Sequence, residues 1–466
     1  MTPPSVLSSR GIRRDSSSYV DPYGFVFHHN GEIYRYVHPD AAPRYRKLLE
    51  TGALRRLEEH GLVQTREAEV RLGDLPDGLV LRHQRIEPLT YCVEWCPSML
   101  REAGKATLDL ALAALEYDLM LQDAYPWNVL FDGVRPVFVD LTSLVPLDRG
   151  VIWPPHEQYE AFFYRPAALA NHGKGDVARA FLYNNITGIS LETFYRLTSA
   201  GYHWRHPGLG LAVWLNRRLQ KGTLLKSKAR EMSERMSSRI TPEIRARFIR
   251  RLLNRLSRLE SHFEGDPWEN YYAEINPAFD KQAKVNAIRE MLTQIAPKTV
   301  LDLGCNAGVF SIIAAECGAR VMSVDSSEPC LELLFATAKQ RGLRITPVFS
   351  DVLCPTPAYG FLGRQYPSLV ERGKSEAVLC LGLMHHLHLS GRQSWERIVE
   401  LLDTFSTKHL IFEFVAMDDA NIELLPQRRE INYSLDSVVA ALKTRFPAIS
   451  VHASDRETRR LLLCAK

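Results

Sequence analysis

One short stretch concentrates residues whose types and spacing suit ligand chemistry. Lys298 to Gly308 reads K-T-V-L-D-L-G-C-N-A-G, an apolar run bearing Asp302 that breaks into Gly304, Cys305, Asn306, Ala307 and Gly308. A helical pattern follows, from Val309 to Cys317. A strand, a tight turn and a helix in this order let backbone approach a nucleotide-like ligand closely. Gly304 and Gly308 leave the room, and Asn306 tolerates the left-handed backbone such turns need. Downstream, Arg320 to Val324 reads as a second strand ending at Asp325, twenty-three residues after Asp302. A carboxylate there is placed to accept from two vicinal ribose hydroxyls.

The turn resembles motif I of class I S-adenosylmethionine (SAM) dependent methyltransferases, D-x-G-x-G-x-G, with Asn306 at the middle glycine. The resemblance implies a Rossmann-like sheet with helices on both faces. It also implies a cofactor set of Asp302, Gly304, Cys305, Asn306, Gly308, Asp325, Ser326, Asp351, Val352 and Leu381, with Tyr271 or Tyr272 closing the pocket. Asp351 is where such folds hold the adenine amino group. The competing nicotinamide-binding fold predicts G-x-G-x-x-G, which this turn lacks.

The sulfonium of SAM makes its methyl electrophilic, so the protein supplies alignment and in some cases a base. Leu381 to Leu387, L-G-L-M-H-H-L, lies at the expected end of strand four. There His385 or His386 is a candidate base for a hydroxyl acceptor, because imidazole titrates near neutrality. Glu413, between Phe412 and Phe414, is a second candidate for orienting substrate. No N/D-P-P-Y tetrad and no cysteine pair accompany them, so exclusion favours O-methylation of a small-molecule or glycan-like acceptor.

The N-terminal half reads as hairpin, helix, two strands, long helix, polar loop and second hairpin. Phe25–Val37 flanks Asn30-Gly31, a hairpin signal. Pro43–His60 and Pro97–Leu121 have helical spacing, and Val129–Phe131 and Pro136–Val139 flank Asp132-Gly133. The order resembles the protein-kinase and aminoglycoside-phosphotransferase fold, with Asp123, Asn128 and Asp140 at the spacing of a catalytic-loop acid, a metal-binding amide and a second metal-binding acid. ATP and magnesium are what that resemblance implies. The chain departs from the pattern: Leu121-Gln122 precedes the loop acid, Leu-Thr-Ser follows Asp140, and no glycine-rich loop is visible. Arg35 stands where a strand lysine is expected, with Glu50 as its candidate helix partner. These departures point to a pseudokinase that binds a nucleotide, substrate or partner.

Tyr91–Trp95, Asp123–Phe131 and Arg135–Ser143 are also similar to NoeA-type nodulation proteins and related bacterial proteins, which carry a C-terminal methyltransferase domain. This likeness runs from about Asp21 to the end.

At 466 residues the chain exceeds one core. The expected fold is multidomain, α+β followed by α/β: a tail at 1–20, a kinase-like domain at 21–215, a basic helical linker at 216–265 and a methyltransferase domain at 266–466. Apolar residues make up 45% and charged residues 24%, as in a globular protein. No apolar run reaches the length of a membrane span. Eight scattered cysteines without a C-x-x-C pair suit a reducing, cytoplasmic setting rather than a zinc site. Net charge is only +4, but Arg217–Arg258 holds fourteen Lys/Arg against three Glu. That stretch is either a solvated helix or a surface for nucleic acid. The alternative functions are therefore an RNA-modifying methyltransferase docking through it, and a non-catalytic regulatory scaffold.

Overall fold

The structure is a computed structural model. It describes residues 5–18, 21–148, 150–184, 187–221, 240–262, 283–423 and 433–466. Tyr271, Tyr272, the expected junction at 264–267 and much of the basic stretch lie outside them.

A five-stranded sheet opens the chain. Its strands run in the spatial order Arg13–Arg14, Gly24–His29, Glu32–Val37, Leu79–His83 and Thr65–Glu67, all antiparallel. The first hairpin turns at Asn30 and Gly31, both at positive φ, which matches the twist of the strands it joins. Two expected helices come out differently. Pro43–His60 is broken into Ala42–Glu50 and Ala53–Glu59, because Gly52 takes a left-handed φ of 72°. The long helix stops at Leu115, and Leu119–Leu121 is instead a buried strand paired with Leu144–Pro146. Asp118, at φ 55°, turns the chain between them.

The helix Pro242–Ser257 is capped by Thr241, whose hydroxyl accepts from the Ile244 N–H. It lies on the long helix Pro97–Leu115. Gly104 permits the approach, since a Cβ there would sit 2.9 Å from Leu256. This part of the basic stretch is thus an amphipathic core helix. Arg245, expected among its docking residues, is buried and donates to the carbonyls of Asp148, Val151 and Ile152.

The C-terminal half is built on seven strands: β1 (Thr299–Leu303), β2 (Arg320–Asp325), β3 (Ile345–Phe349), β4 (Ser375–Cys380), β5 (Ser406–Val415), β6 (Ala448–Ala453) and β7 (Arg459–Ala465). They lie in the order β3-β2-β1-β4-β5-β7-β6. The first five are parallel, and β7 runs antiparallel to both β5 and β6. The central strands are apolar almost throughout, as a sheet covered on both faces requires. Helices Val309–Glu316, Glu328–Arg341 and Trp395–Phe405 make the crossovers.

One continuous apolar core joins the two halves. Phe131 meets Phe335 edge to face, and Thr346 of β3 donates to the Gly133 carbonyl in the second N-terminal hairpin. Between β3 and β4, Tyr359 and Tyr366 bond each other's backbone and pack among Tyr91 and Trp127.

Candidate functional site

The carboxyl edge of the parallel sheet reverses its strand order between β1 and β4. In open α/β sheets such a switch point leaves a crevice for ligands. The glycine turn lies there. Gly304, Asn306 and Gly308 have φ of 69°, 49° and 80°, so the left-handed conformation expected for Asn306 is what the turn adopts. The Gly304 and Cys305 N–H groups donate to the Val324 carbonyl, stitching the turn to β2. Asp325, half-buried at the end of β2, accepts from the Asn306 N–H at 2.7 Å and from the Ser327 N–H at 2.9 Å. Ser326 beside it is exposed.

Asp302 is different in kind. It is buried, it accepts from the Ser311 hydroxyl at 2.6 Å, and burial pushes its carboxyl up to about 7. Cys305 is likewise buried, with its thiol held protonated by desolvation. Asp351 follows β3 on the exposed surface and accepts from the Leu353 N–H, with Val352 buried next to it. Leu381 is buried just past β4, and the Leu383 side chain comes within 3.1 Å of where a Cβ on Gly304 would be.

The two histidines differ in environment. His385 is buried, its Nδ1 has no partner, and desolvation lowers its pKa to about 3. His386 is only partly buried, and desolvation lowers its pKa too. The rings stand 4.3 Å apart. Glu413, expected to orient a substrate, is fully buried. Its carboxylate is committed to Lys284, 2.6 Å away, and to the Ser454 hydroxyl. The sequence reading missed Lys284, whose ammonium also lies 4.8 Å from the Phe310 ring centre. A lysine on an amphipathic helix carries no local signal that it will be buried.

The N-terminal candidates gather elsewhere. Asp123, Asn128, Asp140 and Arg35 line one cleft of about 920 Å³. Arg35 is buried and donates to Asp21, to the Thr142 hydroxyl and to Asp140 at 3.2 Å. Glu50, its expected partner, is exposed at the end of its own helix; the strand aims Arg35 into the cleft instead. Burial and the nearby Asp140 raise the Asp123 pKa. Among the described residues no three metal-ligating side chains converge, and none of the helices is long and apolar enough to cross a membrane.

No protein-family model matches the chain. It is similar over 94% of its length to the nodulation protein NoeA of Rhizobium meliloti strain 1021, at 28% identity and covering 93% of that protein. The likeness to NoeA-type proteins read from the sequence therefore extends nearly end to end. A 37-residue stretch, 8% of the chain, is 60% identical to the cypemycin N-terminal methyltransferase of a Streptomyces species, covering 15% of it. Among solved structures, the magnesium protoporphyrin IX methyltransferase of Synechocystis PCC 6803 overlaps 39% of this chain and 81% of its own, at 18% identity and TM-score 0.28. WbdD, described as a bifunctional kinase-methyltransferase, overlaps 39% of this chain and 38% of its own, at 15% identity and TM-score 0.27. TM-scores this low do not establish a shared fold.

Proposed function

We propose that the C-terminal half is a class I SAM-dependent methyltransferase acting on a hydroxyl of a small-molecule or glycan-like acceptor. The observation that carries this reading is the fastening of the glycine turn to Asp325 at the switch point of the sheet. It sets a half-buried carboxylate beside a turn whose backbone takes positive φ at Gly304, Asn306 and Gly308, which fits a nucleoside-bearing cofactor. The short match to a named methyltransferase agrees, although 37 residues say nothing of the acceptor.

When bound, SAM supplies the electrophilic methyl. Asp325 would accept from both ribose hydroxyls, Asp351 and Val352 would flank the adenine, and the Gly304–Gly308 backbone would line the cofactor's amino-acid end. His386, the less buried imidazole, would take the proton of the acceptor hydroxyl. His385, sequestered and hard to protonate, would position the segment. Lys284, on the helix Ala283–Ile295, and Glu413 of β5 form a buried ion pair, so neither is offered to the acceptor.

The N-terminal half is, in this reading, a kinase-like binding domain for a nucleotide, substrate or partner. Phosphoryl transfer is not assigned to it, because the Arg35 guanidinium already stands against Asp140 and would repel a divalent cation there.

The test is thermal melting with SAM combined with methyl-labelled SAM in a cell extract. SAM should raise the melting temperature of the wild type and of His386→Ala, and should do so at least tenfold more weakly, by concentration, in Asp325→Ala. Label transfer should vanish in His386→Ala and should fall in Asp325→Ala at limiting SAM. An unshifted wild type, or an Asp325→Ala protein that responds normally, would sink the assignment.

A further inference from the structure

The cleft of the N-terminal half is not made by that half alone. Arg364, Gln365, Tyr366 and Pro367, from the segment between β3 and β4, form part of its wall. That segment is tied across: the Ser16 hydroxyl donates to the Gln365 carbonyl at 2.9 Å, and the Trp127 indole donates to the Tyr359 hydroxyl at 2.9 Å.

The lining indicates what would fit. Five arginines face five carboxylates, so the cleft has no net formal charge to attract a polyanion. Several of these charges are already matched, Arg35 with Asp21 and Asp140, and Arg85 with Glu87. The lining is also apolar in part, with Val26 and Ile33 from the first hairpin and Leu130 and Val139 from the second. The unmet polar groups are mostly acceptors. The Thr65 hydroxyl donates to the Val63 carbonyl and so accepts from His83 Nδ1, leaving His83 Nε2 a bare acceptor. His83 is 95% buried, and desolvation keeps it neutral. Gln84 Oε1 is a second buried acceptor without a partner, Asp123 presents a half-buried carboxylate that also takes a hydrogen bond from Gln158, and Arg35 Nε is an orphaned donor in the lining. Unpaired buried acceptors call for a ligand that donates. A phosphate only accepts, whereas ring hydroxyls donate and accept.

We propose that this composite cleft binds a neutral, ring-borne vicinal diol, without a metal ion, between the N-terminal sheet and the Arg364–Pro367 wall. The apolar lining residues receive the ring and Asp123 accepts from a hydroxyl pair. The inference rests on the reading of this half as a binding domain and is independent of the methyl-transfer reading. Nucleosides and saccharides share this chemistry, and the experiment separates them.

Full-length Asp325→Ala protein, in which the C-terminal site is weakened, is melted with adenosine, with methyl β-D-glucopyranoside, and with ATP in the presence of magnesium or EDTA. At least one of the first two probes should raise the melting temperature. Adding Asp123→Asn should weaken that probe at least tenfold, and adding Gln365→Ala should weaken it measurably. A shift by adenosine alone marks a nucleoside site, and one by the glycoside alone a saccharide site. The proposal is overturned if neither probe shifts the protein, if Asp123→Asn responds normally, or if magnesium-ATP stabilises more than either probe. SAM melting of the otherwise wild-type Asp123→Asn protein reports the C-terminal site separately.

Discussion

Asp302 occupies the centre of the sheet, with Ser311 donating to it and Ser323 donating to Ser311 in turn. Its pKa is raised from 3.8 to about 7 by burial. Between those values the folded chain holds a proton that the unfolded chain releases, so this residue's contribution to stability falls as pH climbs through that window. Asp302→Asn should remove the decline: the variant loses less stability than the wild type between pH 5 and pH 8 in urea melts. Parallel pH profiles would refute the assignment. Asp325 sits instead at the strand end, half-buried, with two backbone N–H groups donating to it. The sequence shows both acids close to a turn or strand end, yet only their depth in the sheet separates the buried core group from the half-buried one.

At the scale of elements, the turn and the helix it opens depend on close approach. Gly308 has a φ of 80°, and a Cβ there would fall 2.3 Å from a Leu334 methyl. Gly308→Ala therefore combines an unfavourable backbone with overpacking and should cost about 1–3 kcal/mol. Chemical denaturation measures it, and a loss below about 0.5 kcal/mol, the range of an ordinary surface substitution, would show that Leu334 moves aside freely. The strands of this half were legible because buried parallel strands are short apolar runs ending in punctuating residues. The long N-terminal helix was overextended by six residues because Leu119-Met120-Leu121 continues an apolar pattern that a helix and a buried strand share. Pairing with Leu144–Pro146, more than twenty residues away, decides between them.

The whole molecule is held by contacts across the halves. Arg372, from the short helix before β4, donates to the Glu94 carboxylate and to the Leu89 carbonyl, both arginine and glutamate being almost wholly buried. Removing one partner strands a charge in the interior. Arg372→Ala should destabilise the protein by about 3–5 kcal/mol, while Arg372→Met with Glu94→Gln should recover part of that loss. Equal midpoints for the single and double variants in urea would show that the pair contributes only packing. Arg179 adds a second tie, bonding Glu328 and stacking 3.8 Å from the Phe349 ring centre.

By itself the sequence determined what is local: the glycine turn, the acid ending β2, the hairpin at Asn30-Gly31 and the order of the strands in the C-terminal half. These follow from backbone sterics and side-chain period, which act over a few residues. The tertiary structure decided the rest. It withdrew Glu413 into a pair with Lys284, turned Arg35 from Glu50 toward Asp21 and Asp140, buried Arg245 beneath a loop, and set Arg364–Pro367 into the wall of the N-terminal cleft. Each of these is a charge or hydrogen-bonding group matched by a residue far along the chain. Burial requires such groups to find a partner, but only the packed fold fixes which one.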